Sequence, residues 1–251
     1  MIPILNETKY VEEIINSSIL PEKMSVNSMI TYLTKYYYRK CDSFLEIENK
    51  VCEQMDKFNI DVRYYQEYKC RLRVKRICNA IHDGKLDMLR EYESIPLYKS
   101  EYENIMSCEN DKEKKFLFTV YILARYTDKY GWVYNPKNEI FKLANIPSNT
   151  KGYKEIIYNL LHSGYIKNTK KVDDVKIGVE LANTSEEVVL EVSKMSSLGN
   201  QFMAFIKDGY IICEHCEKLI KKITNNQKYC NKCREKVNLL KTKERISNYD
   251  K

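Results

Sequence analysis

The sequence predicts a mainly α-helical protein, and three observations point to this fold class. Glycine and proline are scarce, at 7 and 5 of 251 residues, which disfavours many-turned all-β architectures and linker-rich chains. Apolar residues recur at steps of three and four along much of the chain, as in amphipathic helices. Strict alternation of apolar and polar residues, which is typical of strands, is confined to short segments. The length fits one large domain or two to three small ones.

The first part of the chain, residues 1–110, is predicted to be a helical N-terminal domain. Ser25 is a typical helix N-cap, and apolar residues then repeat at helical spacing in three successive segments. These residues are Met29, Ile30 and Leu33, then Phe44, Ile47, Val51, Met55 and Phe58, and then Cys70, Val74, Ile77, Cys78 and Ile81.

Basic residues are interleaved with aromatic ones in the same region. They are Lys35, Arg39 and Lys40 beside the tyrosines at 36–38, and Lys69, Arg71, Arg73, Lys75 and Arg76 further on. Such a pattern can bind nucleic acid by phosphate contacts and base stacking. Nearby acidic residues, which include Asp42, Glu46 and Glu53, favour the alternative of ion-paired helix faces.

Residues 111–195 are predicted to form a winged-helix-like α+β domain. The pattern gives a helix over 111–127, an extended piece over 131–134, a short helix over 138–144 and a polar turn at 145–150. A helix over 151–162, with Tyr153, Ile157, Leu160 and Leu161 directed inward, precedes two alternating strands at 165–169 and 175–181. This order is typical of a winged helix, whose second helix enters the DNA major groove. The segment from Glu186 to Val192 is predicted to add a strand or a short helix.

The polar turn and the helix after it carry the candidate DNA contacts. In a winged helix the exposed residues would face base edges and phosphates, and lysines of the strand-to-strand loop would lie on the backbone or in the minor groove. The predicted contacts are Ser148, Asn149, Thr150, Lys151, Lys154, Tyr158 and Asn159, with Lys170 and Lys171 in the loop. Many winged helices bind proteins instead, and that alternative stays open.

Two C-x-x-C pairs predict one structural zinc ion. Cys213-Glu-His-Cys216 is followed by thirteen residues and then by Cys230-Asn-Lys-Cys233. Four thiolates close a tetrahedral shell and leave no open position for water. Because the N-terminus lacks the pattern of a signal peptide, disulfides are disfavoured. His215 is predicted to be exposed, and the five scattered cysteines at 41, 52, 70, 78 and 108 to act as small core residues.

Residues 196–251 are thus predicted to be a zinc finger of treble-clef-like form with a basic C-terminal helix. A short hairpin is expected within 217–229, and a helix after Cys233. From residue 207 onward there are 12 Lys/Arg and 6 Asp/Glu, which makes this end the basic pole of the chain. The helix lysines and arginine either meet phosphates or form a solvated surface; they are Lys236, Lys241, Lys243 and Arg245.

The sequence also resembles a group of uncharacterised proteins from phages and mobile elements of low-GC Gram-positive bacteria. The stretches that carry the resemblance are FLFTVYILARY, GWVY, EIFKLANI, LLHSGYI, and the region from LGNQF to KYCNKC. The resemblance spans about residues 85–245. It implies a bacterial or phage cytoplasmic setting, a winged-helix-like middle and a C-terminal zinc finger, and it implies no particular activity.

These patterns together predict a DNA-binding protein, either a transcription regulator or a replication accessory factor. The alternative is a module that captures or inhibits a host protein without a DNA target. An enzyme is not expected, because the chain has no Gly-rich phosphate loop, no H-E-x-x-H motif and only three histidines. Since no apolar stretch approaches about 18 residues, we expect no membrane span and a location in the cytoplasm of the bacterial host.

Overall fold

The computed structural model describes residues 3–22, 24–58, 60–61, 63–147, 150–168 and 176–249. Helices account for 53% of the structure and strands for 10%, which confirms the prediction of a mainly α fold. Contacts within the chain form two compact units, one of residues 4–93 and one that begins at residue 94. No helix in the described part of the chain is long and apolar enough to cross a membrane.

The described residues of the unit 4–93 form four helices. They are α1 (Glu7–Ser17), α2 (Val26–Tyr38), α3 (Phe44–Lys57) and α4 (Glu67–His82). The side chains of Asn6, Ser25 and Ser43 each accept a hydrogen bond from a backbone amide three residues later. Such N-caps satisfy amides that have no partner within the helix, so they determine where the first three helices begin.

The core of this unit lies between the helices and contains the residues that the periodicity predicted. Met29, Leu33, Val51, Met55 and Val74 are buried completely or nearly so. Cys52, Cys70 and Cys78 belong to the same core, Cys108 is buried in the second unit, and Cys41 is half-buried. The expectation that the scattered cysteines pack as small apolar residues is confirmed for the four buried ones.

The second unit begins with a strand whose partner lies far along the chain. Strand β1 (Ile95–Tyr98) pairs antiparallel with β5 (Val188–Val192), so the segment predicted as strand or helix is a strand. β1 lies inside the range that the sequence pattern predicted to be helical, and that local prediction was wrong. Pro96 is accommodated there because this sheet has only two strands and every strand is an edge.

The middle of the unit is built around one buried helix. The elements in order are α5 (Lys99–Met106), α6 (Asp111–Thr127), β2 (Trp132–Val133), α7 (Lys137–Leu143), α8 (Thr150–His162), β3 (Lys167–Asn168) and β4 (Ile177–Gly178). Phe116, Phe118, Val120 and Leu123 of α6 are fully buried, on different sides of the helix. A helix that is apolar all round must be covered all round, and α6 therefore forms the centre of this unit.

Three short strands form an antiparallel sheet beside α6. The strand order is β2-β4-β3, with Trp132 and Lys167 both opposite Gly178. Both predicted strands at 165–169 and 175–181 are present in shorter form. The loop between them, residues 169–175, lies outside the described residues.

The predicted inward face of α8 is confirmed in part. Leu160 is buried, whereas Tyr153, Ile157 and Leu161 are half-buried, and Ile156, which was not predicted, is buried. The ring of Tyr153 stacks on Phe141 of α7 with centroids 3.5 Å apart, and Leu160 is buried. These two contacts set the rotation of α8, and Ile156 lies between them along the helix.

The last part of the unit contains α9 (Leu198–Ile206), β6 (Tyr210–Ile212), β7 (Leu219–Lys221) and α10 (Asn231–Tyr249). The ring of Phe202 in α9 stacks on Phe118 of α6 with centroids 4.7 Å apart. α9 therefore joins the C-terminal segment to the core of the unit.

Candidate metal centre and nucleic-acid interface

The four cysteines of the two C-x-x-C pairs come together at one point. Cys213 and Cys216 lie in the loop between β6 and β7, which we call the metal loop (residues 213–218). Cys230 directly precedes α10, and Cys233 lies in its first turn. All four sulfur atoms lie within 4.8 Å of one another, with Cys213 and Cys233 buried. The cluster could hold a metal ion.

The hairpin near the cysteines differs from the prediction. We expected it within 217–229, but β7 pairs with β6, which precedes the first cysteine pair. The Cys213 N–H donates to the Lys218 carbonyl at 2.9 Å, and the Glu217 N–H donates to the Cys213 carbonyl at 2.8 Å. These bonds close a tight turn at the hairpin tip, so the C-x-x-C sequence itself is the hairpin turn.

The sulfur geometry fits tetrahedral coordination. The Sγ atoms of Cys216 and Cys230 are 3.8 Å apart. A tetrahedron with metal–sulfur bonds of about 2.3 Å has edges of about 3.8 Å. Four protein ligands fill such a shell completely, so an ion there would be structural rather than catalytic.

Backbone amides favour the thiolate form of Cys213, the first cysteine of the cluster. The Cys230 N–H donates to Cys213 Sγ at 3.3 Å. Burial raises the pKa of Cys213, but hydrogen bonds from the amides of Cys230, Cys216 and His215 outweigh it and lower this pKa to about 6. A thiolate is the form that binds metal.

The thiol of Cys233, in contrast, ionises near neutral pH only when a cation is bound beside it. Burial and the neighbouring thiol groups raise the pKa of Cys233 to about 12. Metal binding must then release protons from the cluster, and the apparent affinity for metal falls as the pH falls. His215 is exposed, as predicted, and does not belong to the cluster.

Glu217 ties the metal loop to the start of α9. Its backbone has a positive φ of 55°, and its carboxylate accepts hydrogen bonds from the hydroxyls of Ser196 (2.6 Å) and Ser197 (2.8 Å). Its carbonyl oxygen accepts a bond from Asn200 Nδ2 at 2.9 Å. The metal loop is therefore held by the side chains that begin α9.

The same side chains also hold the turn between α7 and α8. Asn145 Oδ1 accepts from the Asn200 N–H, and Asn145 Nδ2 donates to Ser197 Oγ, both at 3.2 Å. We call Asn145, Ser196, Ser197, Asn200 and Glu217 the anchor network. It links the metal loop directly to the turn from which α8 starts. These contacts were not predicted from the sequence.

Close backbone packing accompanies the anchor network. A Cβ atom on Gly199 would lie 1.9 Å from the carbonyl oxygen of Ala144. Only glycine fits at this position, because the first turn of α9 lies directly against the end of α7.

The predicted DNA contacts on α8 are only partly described. Ser148, Asn149, Lys170 and Lys171 lie outside the described residues, and Thr150 and Lys151 lie in the first turn of α8 with side chains that are not described. Lys154 and Tyr158 are exposed, and the ring of Tyr158 stacks on His162 with centroids 5.9 Å apart.

Asn159, which we predicted to read bases, makes an internal contact. Its Nδ2 donates to Glu113 Oε1 at 2.8 Å, and Glu113 is a buried residue of α6. In this structure the amide is held against α6. Sequence spacing could not reveal this, because the partner lies 46 residues away.

The C-terminal segment carries many exposed cations. The predicted set, Lys236, Lys241, Lys243 and Arg245, is exposed on α10. The segment also carries exposed cations that the sequence analysis did not single out; they are Lys218, Lys221, Lys222, Lys228, Lys232 and Arg234. We call residues 207–249 the basic module.

No protein-family model, curated protein or solved structure matches this chain. The case for a function therefore depends on the geometry and chemistry of the residues described above.

Proposed function

We propose that this protein binds double-stranded DNA through a winged helix and a basic zinc finger, as a binding protein rather than an enzyme. Its role would be that of a transcription regulator or replication accessory factor of a phage or mobile element, in the bacterial cytoplasm. The observation that carries the proposal is the order α6, β2, α7, α8, β3, β4 together with the sheet order β2-β4-β3. A winged helix has this arrangement: a helix, a strand, two helices and a two-stranded wing.

α8 takes the place of the recognition helix in this proposal. The B-DNA major groove is about 12 Å wide and admits an α-helix. Lys154 and Tyr158 are exposed on α8, and Lys151 is in its first turn. Lysines there can contact phosphates or the guanine edge, which supports a position for α8 in the groove.

We infer that the metal is zinc and that the finger is treble-clef-like. Tetrahedral four-thiolate sites select zinc or iron–sulfur centres, and the 3.8 Å sulfur separation fits a single small ion. Two ligands in a hairpin turn and two at the start of a helix support the treble-clef-like form. The exposed cations of the basic module would add phosphate contacts next to those of α8 and raise the affinity through effective concentration.

Charge reversal on α8 tests this proposal. In the double variant Lys151→Glu, Lys154→Glu, duplex affinity is expected to fall by about tenfold or more, because two phosphate contacts become repulsive. The slope of log K against log[salt] should become shallower by about 2, at about 0.9 per lost contact. Fluorescence anisotropy titrations with a labelled duplex at several salt concentrations measure both quantities.

Lys194→Glu is the matched control for the single variant Lys154→Glu, since Lys194 is exposed in the loop after β5 and both single changes alter the net charge by the same amount. It should leave most of the affinity in place. If both single variants lost the same duplex affinity, or if the α8 double variant still bound the duplex, α8 would not be the element that contacts DNA.

A specific observation favours a second candidate, the capture of a host protein. A cleft of about 380 Å³ beside α8 is lined by Asp111, Glu113 and Glu155 against the cation Lys112, although Asp111 is itself paired with Lys207. Acids repel phosphates and fit a basic peptide. Leu239 and Leu240 of α10 are also exposed, at 63% and 55%. If the wild-type protein binds no duplex at low salt, this candidate replaces the first.

A further inference from the structure

The outer face of α4, in the unit of residues 4–93, is strongly cationic. The helix contains five Lys/Arg and one Glu. Two of the cations are engaged: Arg71 donates to Glu67 and Asn49, and Arg73 donates to the Asn27 carbonyl and Thr31 Oγ1. Lys69, Lys75 and Arg76 are exposed and have no ion pair or side-chain hydrogen bond within the described part of the chain. These three charges are therefore available to a ligand.

Nearby acidic residues do not cancel these charges. The Glu67 carboxylate is 2.7 Å from the Arg71 guanidinium, and the Asp61 carboxylate is 2.6 Å from that of Arg63. Asp61 is thus neutralised by Arg63. Arg71, in contrast, is shared between Glu67 and Glu48, whose carboxylate lies 3.8 Å from the same guanidinium. The net charge on the outer side of α4 is positive, so the complementary ligand is a polyanion.

Exposed aromatic rings lie on α4 and in the turn just before it, where the Arg63 guanidinium lies over the ring of Tyr64 at 5.8 Å from its centroid. Tyr64 and Tyr68 are 70% and 71% exposed, and Leu72, one helical turn after Tyr68, is 39% exposed. Residues three and four apart are neighbours on a helix surface, so Tyr68, Leu72, Lys75 and Arg76 form one stripe. Grouped apolar side chains that remain in water indicate an interaction site.

We propose that this surface binds single-stranded nucleic acid, with bases stacked on Tyr64 and Tyr68 and phosphates beside the cations. We call it the α4 face: Tyr64, Tyr68, Lys69, Leu72, Lys75 and Arg76. A duplex hides the faces of its bases, so only an unpaired strand can use the exposed rings. Stacking platforms flanked by cations are the usual mode of such binding. The inference concerns the other unit and does not depend on the duplex proposal.

The dimensions of the face set the expected size of the contact. Tyr68 and Arg76 are eight residues apart, which corresponds to about 12 Å along the helix. That length matches about three to four stacked nucleotides at about 3.4 Å each. Three phosphate contacts to a single strand predict a contribution of about −2 to the slope of log K against log[salt], at about −0.7 per contact.

The test uses the full-length, metal-loaded protein and a short oligothymidylate. Affinity is measured by anisotropy, and a 5-iodouracil-substituted strand is photo-crosslinked and the crosslinked peptide identified by mass spectrometry. The variant Tyr64→Ala, Tyr68→Ala should bind about tenfold or more weakly, and wild-type crosslinks should map to Tyr64 or Tyr68. In the variant Lys69→Ala, Lys75→Ala, Arg76→Ala, the slope of log K against log[salt] should become shallower by about 2.

Tyr130→Ala is the control, because Tyr130 is 98% exposed in the other unit. It should bind like the wild type, and circular dichroism should be the same for all variants, since only exposed side chains change. The proposal is overturned if crosslinks map only to residues outside the α4 face. It is also overturned if the cation variant binds weakly while the tyrosine variant binds normally, or if oligoglutamate displaces the strand at equal charge. The last result would identify an acidic protein as the partner.

Discussion

Replacing Cys230 with serine is expected to release the metal and unfold the basic module. Among the described side chains from residue 207 onward, only Cys213 and Cys233 are buried. With so little apolar burial, coordination must supply most of the stability of this segment. Structural zinc contributes about 10–16 kcal/mol in zinc-finger peptides. Metal content of the purified protein and hydrogen exchange of residues 207–249 measure the two effects.

His215→Ala is the matched control within the metal loop. Its side chain is exposed and is not part of the cysteine cluster. The variant should therefore keep one metal ion per chain, and the hydrogen exchange of residues 207–249 should match that of the wild type. A strong chelator should reproduce the effect of Cys230→Ser on the wild type. Stoichiometric metal in Cys230→Ser, or an unchanged module after chelation, would contradict a four-cysteine structural site.

Replacing Gly199 with alanine is expected to destabilise the unit that begins at residue 94 by about 3 kcal/mol. The new methyl group would overlap the backbone carbonyl of Ala144, which cannot move away as a flexible side chain could. Overpacking of this kind costs about 1–3 kcal/mol and sometimes more. For a unit of this size the loss corresponds to a Tm lower by about 10 °C. Thermal and denaturant unfolding measure it.

Gly152→Ala in α8 provides the opposite expectation. A Cβ atom there would meet nothing within 4 Å, and alanine is favoured over glycine in a helix by about 0.5–1 kcal/mol. This variant should therefore be slightly more stable than the wild type. If both variants unfold like the wild type, α9 does not pack against the end of α7 as described.

Local signals made much of the fold predictable. The helices of residues 4–93 follow from apolar spacing and from caps such as Ser25, because both act within a few residues. The clustering of the four cysteines was predictable for the same reason, since a C-x-x-C turn aims both sulfur atoms at one point. The burial of Cys52, Cys70 and Cys78 also followed from their positions in the helical repeats.

Features that depend on distant partners were not predictable. Ile95 pairs with Val192, and Asn159 bonds Glu113, and neither contact leaves a pattern in either segment. The anchor network requires positive φ at Asn145, Ser197 and Glu217, none of which is glycine. A single sequence carries no mark of that strain; the compensating hydrogen bonds exist only in the folded chain.

The cation pattern of α4 illustrates a third case. The sequence offered two interpretations, nucleic-acid binding or ion-paired faces, and the structure assigns each cation separately. Arg71 and Arg73 are engaged within the unit, whereas Lys69, Lys75 and Arg76 are not paired within the described part of the chain. Which charges are free depends on neighbours such as Asn27 and Asn49, which come from other helices.

The most direct test of the proposed function is selection from a random duplex DNA pool by the metal-loaded protein at about physiological salt. We expect one enriched site that is lost in the variant Lys151→Glu, Lys154→Glu, and a two-fold symmetric site would also indicate a dimer. Salt-sensitive binding without enrichment would limit the protein to backbone contacts and an architectural or replication role. No binding to any duplex, even at low salt, would contradict the DNA-binding proposal.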